Sequence, residues 1–440
     1  MRIMVQTPPI GNTSKKHLHP LPLHTNTRKP TTMKKALLFL ITILTFTICH
    51  AQTDSAEKHN EVGLKKDDMA DFAGALIEFN KAIALNPNKG EYYFNRGLVQ
   101  TALNDGKAAV ADLTKAIELE PQNARYYNYR GIAKSDVLHE YANACADYTA
   151  AIKLDPTVAN YFYNRAGEED NLQDYTGAIE DYTKAIKLNG KDGDYYYGRG
   201  MMKRMLDDHK KALIDLDKAI KLDATQARFY NERAIIKENL QVYNGAIIDY
   251  DKAVVLDAQN AEYYYNRGLL KRDLEDYSGA LIDYNMAILL DTTNLNYYLE
   301  RGYAKYGISD IPGALADCDK AIRMAPDSSD SYYKRACIKY WSEDIAGALK
   351  DFTIAKELAP KDVDAVYECG KMKFYLKQYD AAITDMDNVI DRDAKYANAY
   401  YFKGAAKIEL GQTTAGCELL AKAQALGCEE AVDQIKNRCK

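Results

Sequence analysis

Residues 261–294 read AEYYYNRGLLKRDLEDYSGALIDYNMAILLDTTN. Two helical patterns of about a dozen residues lie either side of the break Asp276-Tyr277-Ser278-Gly279, the first around Gly268 and the second around Ala280 and Ala287. The unit recurs along the chain. Small residues stand at Gly63, Gly97, Gly131, Ala166, Gly200, Ala234, Gly268, Gly302, Ala336, Gly370 and Gly404, 34 apart except for 35 between Gly131 and Ala166. Twelve residues on, Ala follows in every full repeat (Ala75, Ala109, Ala178, Ala212 and so on), with Ala144 displaced by the extra residue. Seven further on Ala recurs, Val389 being the exception, and a bulky residue such as Phe79, Tyr148, Tyr250 or Phe352 stands between the two. Small residues at Gly97 and Ala109 let two antiparallel helices approach closely while Tyr93 and Leu113 fill the flanks. Pro87, Pro121, Pro156, Pro326 and Pro360 end second helices, because proline cannot continue the hydrogen-bond ladder. One hairpin cannot bury its own apolar face, so the units must stack.

At these residues the chain resembles the tetratricopeptide repeat family. The resemblance covers residues 56–396 as ten full repeats and 397–428 as an atypical eleventh. It implies an all-α, right-handed α-solenoid of stacked antiparallel helix pairs whose first helices line a concave face. It also implies peptide or protein partners held there. Gly190, Ala224, Ala258, Thr292 and Ala394 depart from the closing proline. The lysine and asparagine with which some family members grip the acidic tails of heat-shock chaperones are missing from their columns.

The N-terminal segment reads as address. Residues 33–52 are MKKALLFLITILTFTICHAQ, in which Lys34 and Lys35 precede an apolar run, Ala36 to Ile48, too short to span a bilayer comfortably. This is the anatomy of a signal peptide, 33–51, cleaved after Ala51, which implies export across the cytoplasmic membrane of a bacterial cell to a periplasmic, secreted or envelope-associated place. Residues 1–32, with five prolines and no helical or strand period, are expected to be disordered and to precede the true start at Met33. Lipidation of Cys49 is the alternative processing and the only route foreseen to a membrane. Ile48 stands where such signals carry a small residue.

Charge and composition exclude several functions. The first 51 residues hold seven of the 58 basic and none of the 63 acidic side chains, so the remainder carries a formal charge of −12, which argues against nucleic acid. Only His59, His139 and His209 follow residue 51, scattered too widely for a metal site. No phosphate-cradling glycine loop, His-Glu-x-x-His or Cys-x-x-Cys is present, so neither an enzyme, a cofactor nor a small-molecule substrate is expected.

Three further patterns generate expectations. Arg stands before the small residue in eight repeats (Arg96 through Arg335) and an acid on each second helix (Glu78, Asp112 through Asp385), a structural pair rather than a catalytic one. Counting matches at the ends of the array gives nine acids of ten paired across the repeat junction, Glu78 with Arg96 onward, and eight within repeats. Junction pairing is therefore expected. On the first helices Asp170, Arg204, Glu238 and Arg272 alternate in sign and are expected to pair along the stack. Beyond them the same face turns aromatic: Tyr303, Tyr306, Tyr333, Tyr340, Tyr367, Phe374 and Tyr401 form the candidate partner-binding groove, or else pack on one another.

At the C-terminus Gly416 replaces the second-helix Ala, and 429–440 reads as a capping helix. Cys417, Cys428 and Cys439 are eleven apart. A turn at 426–428 brings Cys417 beside Cys439, a candidate disulfide in an oxidising compartment; three unpaired thiols are the alternative. Cys145, Cys318, Cys337 and Cys369 read as small buried apolar groups. The expected function is an exported, non-enzymatic scaffold offering a concave, Tyr-rich, acidic groove to a peptide or protein. The alternative is a lipid-anchored structural subunit of an envelope assembly that works through its outer faces.

Overall fold

In the computed structural model, residues 30–439 are described, and among them the chain forms helices and no strand. The contacts divide it into two units, one ending at His139 and one beginning at Glu140. Each is a stack of antiparallel helix pairs. First helices are typically 13 residues long, as in Ala261–Asp273 and Leu295–Gly307, and second helices 14, as in Tyr277–Leu290 and Ile311–Met324.

In the N-terminal unit the helix Pro30–Asp68 runs through the expected leader into the first repeat. Leu37, Leu38, Phe39 and Leu40 on it are exposed. Of the stretch expected to be disordered, residues 1–29 lie outside the described residues, as does the Cys49 side chain, and 30–32 open this helix. Among the described residues no helix is long and apolar enough to cross a membrane. The extra residue of the third repeat has a definite place. Ala124–Ile132 passes into a π-helical turn, Ala133–Val137, which takes up one residue without breaking the helix.

The hairpin turn of the seventh repeat is built from two residues. In the C-terminal unit Glu275 lies in the left-handed region (φ 62°), the Asp276 N–H returns to the Lys271 carbonyl (2.8 Å), and the Glu275 N–H to that of Arg272 (2.9 Å). This closes the first helix as a Schellman motif. The Asp276 side chain then accepts from the Gly279 N–H (2.9 Å) and so caps the second helix. One aspartate thus serves both ends. Between repeats, Asp223, Asp257, Asp291 and Asp393 each accept a backbone N–H two residues on, as Asn86 and Asp155 do before Pro87 and Pro156, so the side-chain turn is kept where the closing proline is missing.

Both alanine columns are sealed; Ala280 and Ala287 are fully buried, as are Ala212 and Ala219. Against them sits the Arg–Asp pair, and here the structure corrects the sequence. The pairs form within repeats. Arg267 donates Nε and Nη2 to Asp283 (3.0 and 2.6 Å), and the same fork joins Arg96 to Asp112, Arg165 to Asp181, Arg199 to Asp215, Arg233 to Asp249, Arg301 to Asp317 and Arg335 to Asp351. The remaining nitrogen, Nη1, spans the junction, reaching Asp251 from Arg267, Asp217 from Arg233 and Asp319 from Arg335 at 2.6–2.7 Å. Counting matches at the ends misled because side chains outside the arginine column serve the terminal acids. Glu78 is held by His59 (2.6 Å) and Lys81 (2.9 Å), and Asp385 by Lys373 (2.5 Å).

A lysine four residues after the Arg completes the clamp, with Lys271 on Asp283 at 2.8 Å and Lys203, Lys237, Lys305 and Lys339 likewise. The fourth repeat breaks the column with Glu169. Its Oε2 is buried and accepts no hydrogen bond. Burial first, then the charge of Asp181, pushes its carboxyl up to about 7.

The C-terminal pair is closed differently. A Cβ on Gly416 would stand 2.7 Å from the Gly404 carbonyl oxygen, so two backbones meet there and alanine does not fit. Cys417 and Cys439 are bonded, with Cα atoms 5.6 Å apart, tying Thr413–Ala425 to the capping helix Glu430–Arg438. Such a loop closure is worth about 3 kcal/mol. Cys318 and Cys369 are buried; Cys145 and Cys337 are half-buried.

Two outcomes follow for denaturation measurements. Gly416→Ala is expected to cost about 1–3 kcal/mol, and Gly97→Ala, which meets a movable Leu113 side chain, less than about 1 kcal/mol. Glu169 binds its proton more tightly folded than unfolded, so its contribution is full below pH 4.5 and lost as pH rises through about 7. Glu169→Lys should abolish that decline and add about 1–2 kcal/mol at pH 8, allowing for solvent at the half-buried carboxyl.

Candidate functional site

Three successive first helices of the C-terminal unit, Leu295–Gly307, Ser329–Trp341 and Val363–Tyr375, carry aromatic pairs in their last turns: Tyr303 with Tyr306, Tyr340 with Trp341, and Phe374 with Tyr375. The chain's one tryptophan, Trp341, lies with its ring 5.6 Å from Tyr303 and 5.2 Å from Tyr306, whose hydroxyl donates to the Trp341 carbonyl (3.3 Å). Its position is five residues beyond the small residue Ala336, just outside the column that sequence reasoning had followed. It remains 46% exposed, so the ring is fixed on one side and bare on the other.

Two clefts flank it. The larger, about 590 Å³, has Tyr303, Tyr306 and Trp341 on one side and Arg272, Asp273 and Tyr277 on the other. Gly307 is required at its rim, because a Cβ there would stand 2.5 Å from the Tyr277 ring. The smaller, about 450 Å³, lies between Trp341, Tyr340, Glu343, Ile345 and Tyr375, with Tyr340 stacked on Tyr375 at 6.0 Å. Both volumes are large enough to take a large side chain of a bound segment. Burial pushes the neighbouring Cys337 thiol up to about 12.

The aromatic column predicted from sequence divides. Tyr303, Tyr306 and Tyr340 line the clefts. Tyr333 instead packs edge-on against Phe352 (5.1 Å), Phe374 against Phe402 (5.4 Å), and Tyr401 against Phe402 (5.1 Å). Tyr367 is buried, between Tyr396 and Phe402, and offers no surface to a partner. Tyr333, Phe374 and Tyr401 remain half-buried. Trp341, Tyr375 and Tyr277 were not singled out; the solitary tryptophan in a chain of 35 tyrosines was the available signal.

The alternating charges are also rearranged. Arg204 donates to Glu232 and Arg272 to Glu300, each 28 residues away, and Lys334 joins Glu300 at 2.8 Å. Glu238 takes the Tyr250 hydroxyl (3.1 Å). Helical side chains lean towards the N-terminus, so a long arginine meets the neighbouring helix below its own level rather than straight across. Arg272 also holds Asp273 (2.7 Å), so its charge is met at the cleft wall.

A tetratricopeptide repeat profile matches residues 90–123 and 261–294, and a second tetratricopeptide repeat profile matches 163–227. No curated protein matches the sequence. Among solved structures, yeast Tom70 is 18% identical, with 87% of this chain and 95% of Tom70 covered and a TM-score of 0.43. A tetratricopeptide repeat protein from Parabacteroides merdae is 19% identical, with 57% and 99% covered and a TM-score of 0.47. YrrB, described as having an unusual peptide-binding site, is 22% identical, with 43% and 97% covered and a TM-score of 0.36.

Proposed function

The chain is a tetratricopeptide repeat protein, and from that premise we propose that it is a non-enzymatic, exported scaffold that binds a segment of a partner protein across the two aromatic clefts. The observation that carries this reading is Trp341. It is the one wall common to both clefts, held against Tyr303 and Tyr306 yet half exposed. Rigid, partly bare aromatic side chains dominate binding energy where they are found at interfaces, because little rotamer freedom is lost on contact. The fitting ligand is an extended segment with two large apolar side chains, one per cleft. The exposed Glu343 at the second rim favours a basic residue between or beside them.

Export is supported by the apolar run that follows Lys34 and Lys35, and by the Cys417–Cys439 bond, a linkage that persists in oxidising compartments.

Because Trp341 is the chain's one tryptophan, binding is read in its own emission. Peptides carrying paired aromatic or large aliphatic side chains, selected from a library on the intact protein, should shift that emission. Tyr306→Ala and Tyr375→Ala should each weaken binding at least about tenfold, a loss of about 1.4 kcal/mol or more. Selected partners that bind both variants undiminished would exclude the clefts as the site.

A further inference from the structure

The outer faces of the second helices carry a pattern that the clefts do not use. Ile214, Ile248 and Ile282 occupy one column 34 residues apart, on His209–Leu222, Tyr243–Leu256 and Tyr277–Leu290, and are 65–67% exposed. Two turns further along the latter two helices, Val255 and Leu289 are 75% and 72% exposed. These five aliphatic side chains lie in two columns of the outer face and together bare on the order of 600 Å².

The patch is bounded by cations at both ends. The column of Val255 and Leu289 reads Lys221, Val255, Leu289, Arg323, and the next reads Lys218, Lys252, Met286, Lys320; all five basic residues are exposed. Three of the nearby acids, Asp217, Asp251 and Asp319, each share a guanidinium, holding one nitrogen of Arg233, Arg267 or Arg335. On a body with an excess of acidic residues, five exposed cations therefore stand around an aliphatic centre.

We propose that this outer face docks on an anionic lipid surface, the aliphatic tips entering the headgroup layer and the lysines meeting lipid charge. Three features of the patch select this occupant. A second copy related by a two-fold axis through the patch would set Lys221 against Arg323. The centres of protein interfaces are enriched in aromatic residues, whereas this centre is aliphatic throughout. Basic side chains rimming an apolar face are the arrangement that anionic bilayers attract, with each cation adding to the binding.

The test is local, since the apolar run at Ala36 to Ile48 can partition into a bilayer by itself. The full chain carrying Trp341→Phe and Ile282→Trp places its one indole on the patch. With phosphatidylcholine vesicles containing phosphatidylglycerol its emission should move to the blue and be quenched by brominated acyl chains, and pure phosphatidylcholine should produce neither. Adding Ile248→Asp, or Lys218→Glu with Lys252→Glu, should cut the vesicle-induced shift at least tenfold while circular dichroism stays unchanged. An indole at 282 that ignores anionic vesicles overturns the proposal. So does a shift produced by an acidic polypeptide but not by vesicles, or sedimentation as a dimer that Ile248→Asp returns to monomer.

Discussion

The structure depends on a buried arginine fork repeated from hairpin to hairpin. In each case two guanidinium nitrogens are spent on the aspartate of the same repeat, and where a third partner is present it belongs to the repeat before. A single side chain thus fixes the crossing of the two helices and the seating of that hairpin on its neighbour. Asp283 is completely buried and is held by both Arg267 and Lys271, so the pair is desolvated and its full set of hydrogen bonds is needed to offset that loss. Alanine columns bring the helices close enough for the fork to close, and the fork in turn leaves no slack for slippage.

That division of labour frees the surfaces for other work. With stacking assigned to small residues, tyrosines and ion pairs inside the hairpins, the last turn of a first helix and the outward side of a second helix carry few structural demands. The aromatic clefts beside Trp341 occupy the former and the aliphatic patch around Ile248 and Ile282 the latter. Both lie in the C-terminal unit, and the one hairpin they share, residues 261–290, gives Arg272, Asp273 and Tyr277 to a cleft and Ile282 and Leu289 to the patch. A partner segment and a lipid surface would therefore not compete for the same side chains.

The repeat, its two helices and the alanine columns were legible in the sequence because sterics at the closest approach of two helices permits so few residues. The third-repeat insertion was visible as a 35-residue step, but only backbone hydrogen bonding showed that a π-helical turn absorbs it. Ion-pair register was not legible, since both pairings place Arg and Asp within reach on paper. The choice turned on Lys66, His59 and Lys373, which supply the terminal acids from outside the arginine column. The aromatic face was half legible. Periodicity finds the column, whereas whether a ring such as Tyr367 or Tyr340 is covered depends on Phe402 and Tyr375, which belong to the next helix or lie outside the column. Trp341 escaped because it stands one position past the column that periodicity marks.

A double-mutant cycle on Arg267 and Asp283 tests the central claim most directly. Arg267→Ala, Asp283→Ala and the combination are compared in equilibrium denaturation of the intact chain. If the fork locks the stack, each single change strips a desolvated charge of its fork partner, and the double change costs less than the sum of the two, with a coupling of about 2 kcal/mol or more. Strictly additive losses, within about 0.5 kcal/mol, would mean that the hairpins are held by their apolar columns alone and that the fork only decorates them.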